Sequence, residues 1–237
     1  MKKILVVVLV VAIALMAGNA MAVVLNSKHD LSSAVTGTGS AAYKGGSATT
    51  AETCVFCHTP HGGSKANGPL WNRGSVDLTS YVAYGATVYG NTIDTTLLNG
   101  GSLSCLSCHD GQTAMGTVVN ATGPGNGGGN LNVIAMTAVN NINGVYSFIG
   151  TDLSNDHPVG VMYDEAAAGL LAISGNGAAP DGIVRVTATY GVIGNTTNTV
   201  QCVSCHNPHL QTGGGEVDFL VASNAGSALC TACHVAR

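Results

Sequence analysis

The chain has 237 residues with 8 basic and 12 acidic side chains, a formal net charge of −4, so nucleic acid is not expected as a partner. Only 8% of the residues are charged and 5% are aromatic, whereas a typical soluble domain has about a quarter charged residues. The surface must therefore consist largely of small uncharged residues.

The first 22 residues have the features of a secretory signal peptide. "MKK" supplies a positive start, "ILVVVLVVAIALM" is apolar, and "AGNAMA" ends in small residues. We place the cleavage site after Ala22, with Ala20 as the alternative, and expect an exported protein. No cysteine precedes Cys54 that could carry a lipid, and no later apolar run has the length of a membrane span. We therefore expect no membrane anchor.

Four Cys-x-x-Cys-His segments follow, "CVFCH", "CLSCH", "CVSCH" and "CTACH". Eight cysteines in an exported protein could form four disulfides, and Cys-x-x-Cys pairs also occur in zinc and redox sites. The histidine directly after every pair favours four covalent haem c groups, because the two thiols can bond to one porphyrin edge while the histidine reaches the iron. The predicted thioether residues are Cys54, Cys57, Cys105, Cys108, Cys202, Cys205, Cys230 and Cys233.

The eight histidines divide into two equal sets. The motif histidines, predicted to be proximal iron ligands, are His58, His109, His206 and His234. The remaining histidines, predicted to be distal ligands, are His29, His61, His157 and His209. Because four distal ligands match four irons, we predict bis-histidine coordination. Met115, Met136 and Met162 are competing distal ligands, but none lies in a motif that favours this role.

His61 and His209 each lie three residues after a proximal histidine. Three extended residues cover only about 10 Å, and in a helical turn the two side chains lie on the same side. His61 therefore cannot reach around the porphyrin bound by His58, and the same argument separates His209 from His206. Each is expected to bind the iron of a different haem and to bring two haems together. For His61 we expect the haem at Cys105.

The haem motifs repeat in the same order in two halves. Each half has a lone histidine, then Cys-x-x-Cys-His-x-Pro-His, then a single Cys-x-x-Cys-His. We predict a first dihaem module over 23–135 and a second over 136–237. "GPGNGGGN" (123–130) and "NNINGVYS" (140–147) are typical of a flexible connection.

We predict a mostly irregular, haem-cored fold with short helices around the haem motifs and few strands. Frequent Gly, Ser, Thr and Asn break the helical and alternating patterns. "DEAAAGLLAI" (164–173) suits a short helix and "GIVRVTATYGVIG" (182–194) a pair of strands. Because aromatic side chains are few, the porphyrins must supply much of the apolar core, and we expect no stable fold without haem.

Several other side chains have two readings. Trp71 would pack on a haem face or, more commonly, act as a buried aromatic anchor. Arg73, Arg185 and Lys65 would pair with haem propionates or be solvated surface charges. Gly111 in "CHDG" is expected to supply a turn.

The order "CVFCHTPH", "PLWNR", "CLSCHDG", "DLSNDHPVGVMYD", "CVSCHNPH" and "CTACH" resembles the doubled-CxxCH multihaem cytochromes of metal-reducing bacteria. Among these, the chain is similar to tetrahaem members that polymerise into extracellular nanowires. The resemblance implies a coil-rich filament subunit, a continuous stack of bis-histidine haems, redox partner cytochromes and external electron acceptors. It also implies that one histidine ligates a haem in the neighbouring subunit. We expect a location at the outer surface, with the periplasm as the alternative.

His29 lies near the predicted mature N-terminus, and the motif ending at His234 lies near the C-terminus. If His29 bound a haem of a second copy, this head-to-tail contact would not close and would give filaments. Ligation of a haem in its own chain satisfies the histidine count equally. His157 would make the equivalent crossing between the two halves.

An electron-transfer protein, and not an enzyme, is the favoured class. A multihaem reductase needs an open position on one iron, whereas the histidine count fills every position. A monomeric periplasmic shuttle would use charged patches to steer to its partners, and this chain has few charged residues.

Overall fold

A computed structural model describes residues 24–25, 27–32, 50–64, 70–82, 87–88, 91–92, 98, 100–121, 132–133, 148–172, 199–209, 219–221 and 223–235. Every cysteine and histidine of the chain lies in these ranges. The calls outside the described residues are the leader (1–22), the module boundary, the connecting stretches at 123–130 and 140–147, the strand pair at 182–194, and Lys65, Met136 and Arg185.

Regular secondary structure is short throughout the described residues. The α-helices are α1 (Gly100–His109), α2 (Cys202–Cys205) and α3 (Ala228–Thr231), and the 3-10 helices are Cys54–Phe56, Leu78–Ser80 and Ala225–Ser227. The strands are β1 (Thr87–Val88), β2 (Asn91–Thr92), β3 (Thr117–Val118), β4 (Asn132–Val133), β5 (Val161–Met162) and β6 (Thr199–Val200). None of the helices in this part of the chain is long and apolar enough to cross a bilayer.

The strands form three antiparallel pairs, β1 with β2, β3 with β4 and β5 with β6. In the last pair Val161 lies opposite Val200 and Met162 opposite Thr199. The N–H of Gly160 extends this pairing by donating to the carbonyl of Val200 at 2.8 Å. The Cys-x-x-Cys-His-x-Pro-His segments at 54–61 and 202–209 are called the first and second doubled motifs. Because β6 ends just before α2, the pairing of β5 with β6 positions the second doubled motif.

Eight of the eleven buried apolar side chains in the described residues form three separate clusters, each beside a haem motif. The first contains Tyr81, Leu98, Leu103, Leu106 and Leu153, the second Phe56 and Val118, and the third Ala232. Two leucines of the first cluster belong to α1, Phe56 belongs to the first haem motif, and Ala232 belongs to the last. The apolar packing is therefore organised around the Cys-x-x-Cys-His segments.

The helix α1 carries one of these segments at its C-terminal end. The helix stops before Gly111, whose φ of 69° is readily adopted only by glycine. The Asp110 carboxylate accepts hydrogen bonds from the N–H groups of Gln112 at 2.9 Å and Thr113 at 3.0 Å. The predicted turn at Gly111 is confirmed.

The predicted helix over 164–173 is wrong. Its described residues, 164–172, form turns and one isolated bridge. Gly169 has a φ of 94°, outside the helical region, and Leu170 pairs with His234. Tertiary pairing with the last haem motif therefore outweighs the local helix propensity.

Without haem, we expect the chain to show no cooperative thermal transition. The clusters in the described part of the chain are small and only 5% of all residues are aromatic, so without the porphyrins little apolar surface is available to offset the conformational entropy. The measurement is far-UV circular dichroism of the mature chain with every motif cysteine replaced by serine, with the haem-loaded chain as the control. A sigmoidal transition in the haem-free chain would contradict this expectation.

Candidate haem centres

The four Cys-x-x-Cys-His segments share one local backbone turn. In three of them the histidine N–H donates to the carbonyl of the first cysteine, at 2.8 Å for His58, 3.0 Å for His206 and 2.9 Å for His234. The fourth lies inside α1, where hydrogen bonds have the same i to i+4 spacing. The turn puts the first cysteine and the histidine on one face of the backbone. This is the arrangement that one porphyrin edge and its iron require.

Three of the predicted proximal histidines each lie in a short antiparallel bridge of their own. His58 pairs with Trp71, His206 with Leu220 and His234 with Leu170. Each bridge has two flanking hydrogen bonds, one accepted by the residue before the histidine and one donated by the residue after it. They are Asn72 N to Cys57 O (2.9 Å), Thr59 N to Leu70 O (2.9 Å), Val221 N to Cys205 O (2.9 Å), Asn207 N to Phe219 O (2.8 Å), Leu171 N to Cys233 O (2.9 Å) and Val235 N to Gly169 O (2.9 Å).

The residue before each bridging residue has a left-handed backbone conformation. Its φ is 58° at Leu70, 60° at Phe219 and 94° at Gly169. Such a φ costs a non-glycine residue about 1 kcal/mol or more. Because the carbonyl of this same residue accepts a flanking bond, the contact that holds the proximal histidine also stabilises the strained conformation.

Three motif histidines lie beside histidines from outside the motifs. The ring centres are 6.1 Å apart for His29 and His109, 5.9 Å for His58 and His209, and 6.3 Å for His157 and His234. Each pair joins one predicted proximal ligand to one predicted distal ligand. The pairing is therefore the one that bis-histidine coordination requires.

The separations fit an iron between the two rings. Two axial imidazoles with metal–nitrogen bonds of about 2 Å each have ring centres roughly 6 Å apart. The three observed values lie between 5.9 and 6.3 Å. The other predicted distal ligand, His61, and the other predicted proximal ligand, His206, belong to none of these three pairs, and both side chains are exposed.

Two expectations for the distal ligands differ from the structure. His157 lies beside His234 of its own half and does not cross to the other half. His29, and not His61, lies beside His109 of the motif at Cys105, so we revise the assignment of His61 to that haem. His29 also stacks on Phe219, with ring centres 4.4 Å apart and an interplanar angle of 4°. These contacts within one chain favour intramolecular ligation by His29 over ligation of a neighbouring subunit.

One imidazole of each pair, His29, His58 or His234, has a lowered pKa. Burial and, secondly, the neighbouring His109 lower the pKa of His29 to about 4. Burial and His209 lower the pKa of His58, and burial and His157 lower the pKa of His234. These imidazoles are therefore neutral at pH 7, which leaves on each ring the nitrogen lone pair that a metal binds.

The tautomer of His157 is set by its own neighbour. Its Nδ1 lies 3.2 Å from the carbonyl oxygen of Pro158. A carbonyl only accepts, so Nδ1 carries the hydrogen and Nε2 carries the lone pair. This second contact is typical of metal-binding histidines.

The cysteines of different motifs lie close together. None of the eight forms a disulfide. A hydrogen bond between Cys105 and Cys202 raises the pKa of Cys105 and lowers that of Cys202. Burial raises the pKa of Cys57 to about 12, with the neighbouring Cys108 as the second cause. Within the described residues, no three His, Cys, Asp or Glu side chains converge on a site for a single metal ion.

Two asparagines hold the first doubled motif. Asn72 is fully buried; its Nδ2 donates to the carbonyls of Val55 at 2.6 Å and Asn120 at 2.8 Å, and its Oδ1 accepts from the N–H of Asn120 at 2.8 Å. Asn120 Nδ2 in turn donates to the carbonyl of His61 at 2.7 Å. The backbone of His61 is therefore fixed while its side chain is exposed, which suits a ligand of another haem.

Arg73 is fully buried, so its reading as a solvated surface charge is wrong. Its Nε donates to the carbonyl of Ser107 at 3.0 Å, Nη1 to that of Met115 at 2.7 Å and Nη2 to that of Ala114 at 2.9 Å. The guanidinium thus ties the segment after the first doubled motif to α1 and the turn that follows it.

Trp71 packs against His58, a predicted proximal ligand. Its ring meets that of His58 edge to face, with centres 5.8 Å apart and an angle of 89°. Its Nε1 donates to the hydroxyl of Ser107 at 3.3 Å. The side chain is half-buried, and it packs on the imidazole rather than inside an apolar cluster.

Comparison with known families identifies the last two Cys-x-x-Cys-His segments. Residues 196–237 match the family model described as Doubled CXXCH motif. The match supports a multihaem c-type cytochrome involved in electron transfer, with haem c bound covalently through the motif cysteines. No curated protein matches the chain significantly.

The residues that hold the motifs were missed by sequence reasoning. Asn72, Asn120 and the bridging residues belong to no chemical motif. One signal was available, because the bridging segments 70–72 and 219–221 follow their doubled motifs at similar distances. That spacing marks a repeated structural unit longer than the cysteine motif itself.

Replacing Arg73 with methionine should lower the free energy of unfolding of the haem-loaded protein by about 3 kcal/mol or more. The carbonyls of the buried Ser107 and Met115 and of the half-buried Ala114 would lose their donors, and each buried acceptor left unpaired costs about 1–3 kcal/mol. The measurement is denaturant unfolding followed by Soret circular dichroism. Arg73→Lys, which keeps the charge but cannot reach three carbonyls, should lose less. A change within about 0.5 kcal/mol for the methionine variant, as for an ordinary surface substitution, would contradict the role given to Arg73.

Proposed function

We propose that the protein is an exported tetrahaem c-type cytochrome that conducts electrons through four bis-histidine haems and is not an enzyme. The observation that carries the proposal is the set of three imidazole pairs, with ring centres 5.9 to 6.3 Å apart. Each pair unites a Cys-x-x-Cys-His histidine with one outside the motifs. Two imidazoles bound to one iron from opposite sides would have this separation.

The ligand type defines the chemistry. Haem supplies a one-electron couple at its iron, and two histidine ligands keep the potential lower than a histidine and a methionine do. Two axial ligands leave an iron no open position for substrate. The pairing therefore favours electron transfer over a multihaem reductase.

The proposed ligand sets are specific to each haem. His58 and His209 serve the haem at Cys54 and Cys57. The remaining sets are His29 with His109, His157 with His234, and His61 with His206, the last by elimination. In this scheme each doubled motif supplies the distal ligand for the other, which holds the two halves of the chain together.

The finer proposal is that the subunits polymerise into extracellular conductive filaments that pass electrons from partner cytochromes to external acceptors. Its support is the resemblance to nanowire-forming cytochromes, the low fraction of charged residues, 8%, and exposed apolar side chains near both ends of the chain. Leu25 is 53% and Val235 48% exposed. Contact through such side chains needs no ligand from the neighbouring subunit. A monomeric periplasmic shuttle is the alternative.

Replacing His209 with alanine should convert one low-spin haem to high spin, because one iron loses its distal ligand. The measurement is electron paramagnetic resonance of the ferric protein, with added imidazole as a rescue control. The informative control is the same substitution in a chain with Cys54 and Cys57 replaced by serine. There, no new high-spin signal should appear, because the haem served by His209 is already missing. A high-spin signal in that background would contradict the assignment.

Filament formation can be tested separately by negative-stain electron microscopy of the secreted protein. Leu25→Asp and Val235→Asp should shorten the filaments, because each puts a charge on an exposed apolar end. Met162→Asp is the matched control, since Met162 is 45% exposed but lies away from both ends in sequence. Monomers at every concentration of the unaltered chain would overturn the filament proposal and leave the electron-transfer proposal intact.

A further inference from the structure

A buried polar contact joins α1 to α2, which carry haem motifs from the two halves of the chain. Its central residues are Ser102, which is 0% exposed, and Gln201, which is 2% exposed. Ser102 precedes Cys105 by one helical turn, and Gln201 directly precedes Cys202. Both residues thus lie next to the first cysteine of a haem motif.

The hydrogen bonds of this contact form a closed set. The Ser102 hydroxyl donates to Gln201 Oε1 at 2.6 Å and accepts from the backbone N–H of Cys202 at 3.1 Å. Gln201 Nε2 donates to the hydroxyl of Thr199 at 3.0 Å, and the Gln201 N–H donates to that of Ser204 at 3.0 Å. A buried network with its members satisfied fixes one geometry, because any displacement leaves an unpaired polar group.

This geometry determines how close Cys105 and Cys202 lie to each other. In an α-helix, residues three apart lie on the same face, so Ser102 and Cys105 both face α2. The hydrogen bond from Cys202 N to Ser102 places the second motif against that face. Cys105, one turn along the same helix face, and Cys202, whose N–H makes this bond, therefore lie beside each other. Porphyrins attached at these two sulfurs would have their thioether edges side by side.

We propose that Ser102 and Gln201 are positioning residues that set the distance between the haem at Cys105 and the haem at Cys202, and that electrons cross between the two halves of the chain at this point. The inference rests on the proposed function. In the transfer, one iron goes from ferrous to ferric and the other from ferric to ferrous. One electron moves, and no proton or further reactant is needed.

The experiment compares Ser102→Ala and Gln201→Met in the full haem-loaded chain with the unaltered protein. Ser154→Ala is the matched control, because the Ser154 hydroxyl makes a bond of the same length, 2.6 Å, to Asp152 on the exposed surface. Haem content is measured by intact mass. The readouts are the exciton couplet in the Soret circular dichroism and the rate of electron exchange between haems after pulsed reduction.

Both variants should keep four haems, lose a clear part of the couplet and exchange electrons severalfold more slowly, while Ser154→Ala matches the unaltered protein. An unchanged couplet and an unchanged exchange rate in both variants would overturn the inference. Loss of haem from either motif would also overturn it, because the contact would then serve haem attachment rather than haem spacing. Fewer than four haems or high-spin iron in the unaltered protein would instead overturn the proposed function.

Discussion

The structure depends on imidazole pairs whose members are far apart in sequence. His58 and His209 lie in different halves of the chain, yet their rings are separated by 5.9 Å with an angle of only 18°. Burial and the neighbouring ring keep His58 neutral and therefore able to ligate. An iron between two such rings would crosslink the chain much as a disulfide does. Such crosslinks would account for the short helices and small apolar clusters of the described residues.

The surrounding backbone serves the same constraint. Three of the predicted proximal histidines each pair with a distant residue in an antiparallel bridge of the same kind. In each bridge, the residue before the histidine's partner has a positive φ. The fourth, His109, is fixed by α1 and by N–H donors from Ile149 and Gly150. Residues such as Asn72 and Arg73 contribute hydrogen bonds rather than apolar area. Short local elements are sufficient here because each has only to position one histidine and its cysteines.

The sequence predicted the identity of the candidate ligands but not their partners. Cysteine spacing and the histidine count are local features, so they could be read directly. The pairing of His29 with His109 depends on long-range contacts, among them the stack of His29 on Phe219, and no spacing rule reports these. The helix predicted over 164–173 was wrong for the same reason: a long-range contact, the pairing of Leu170 with His234, decides the local structure. The burial of Arg73 could not be predicted from the sequence either, because its hydrogen-bond partners are backbone carbonyls, which no residue type identifies.

The central claim is that every iron lies between two histidines supplied by one chain. Near-infrared magnetic circular dichroism of the ferric, monomeric protein tests this most directly, because the charge-transfer band of low-spin haem reports the axial ligand pair. The account predicts the band typical of two imidazoles, with an intensity that corresponds to four irons per chain. A band typical of histidine and methionine, or an intensity that leaves one or more irons high-spin, would contradict it.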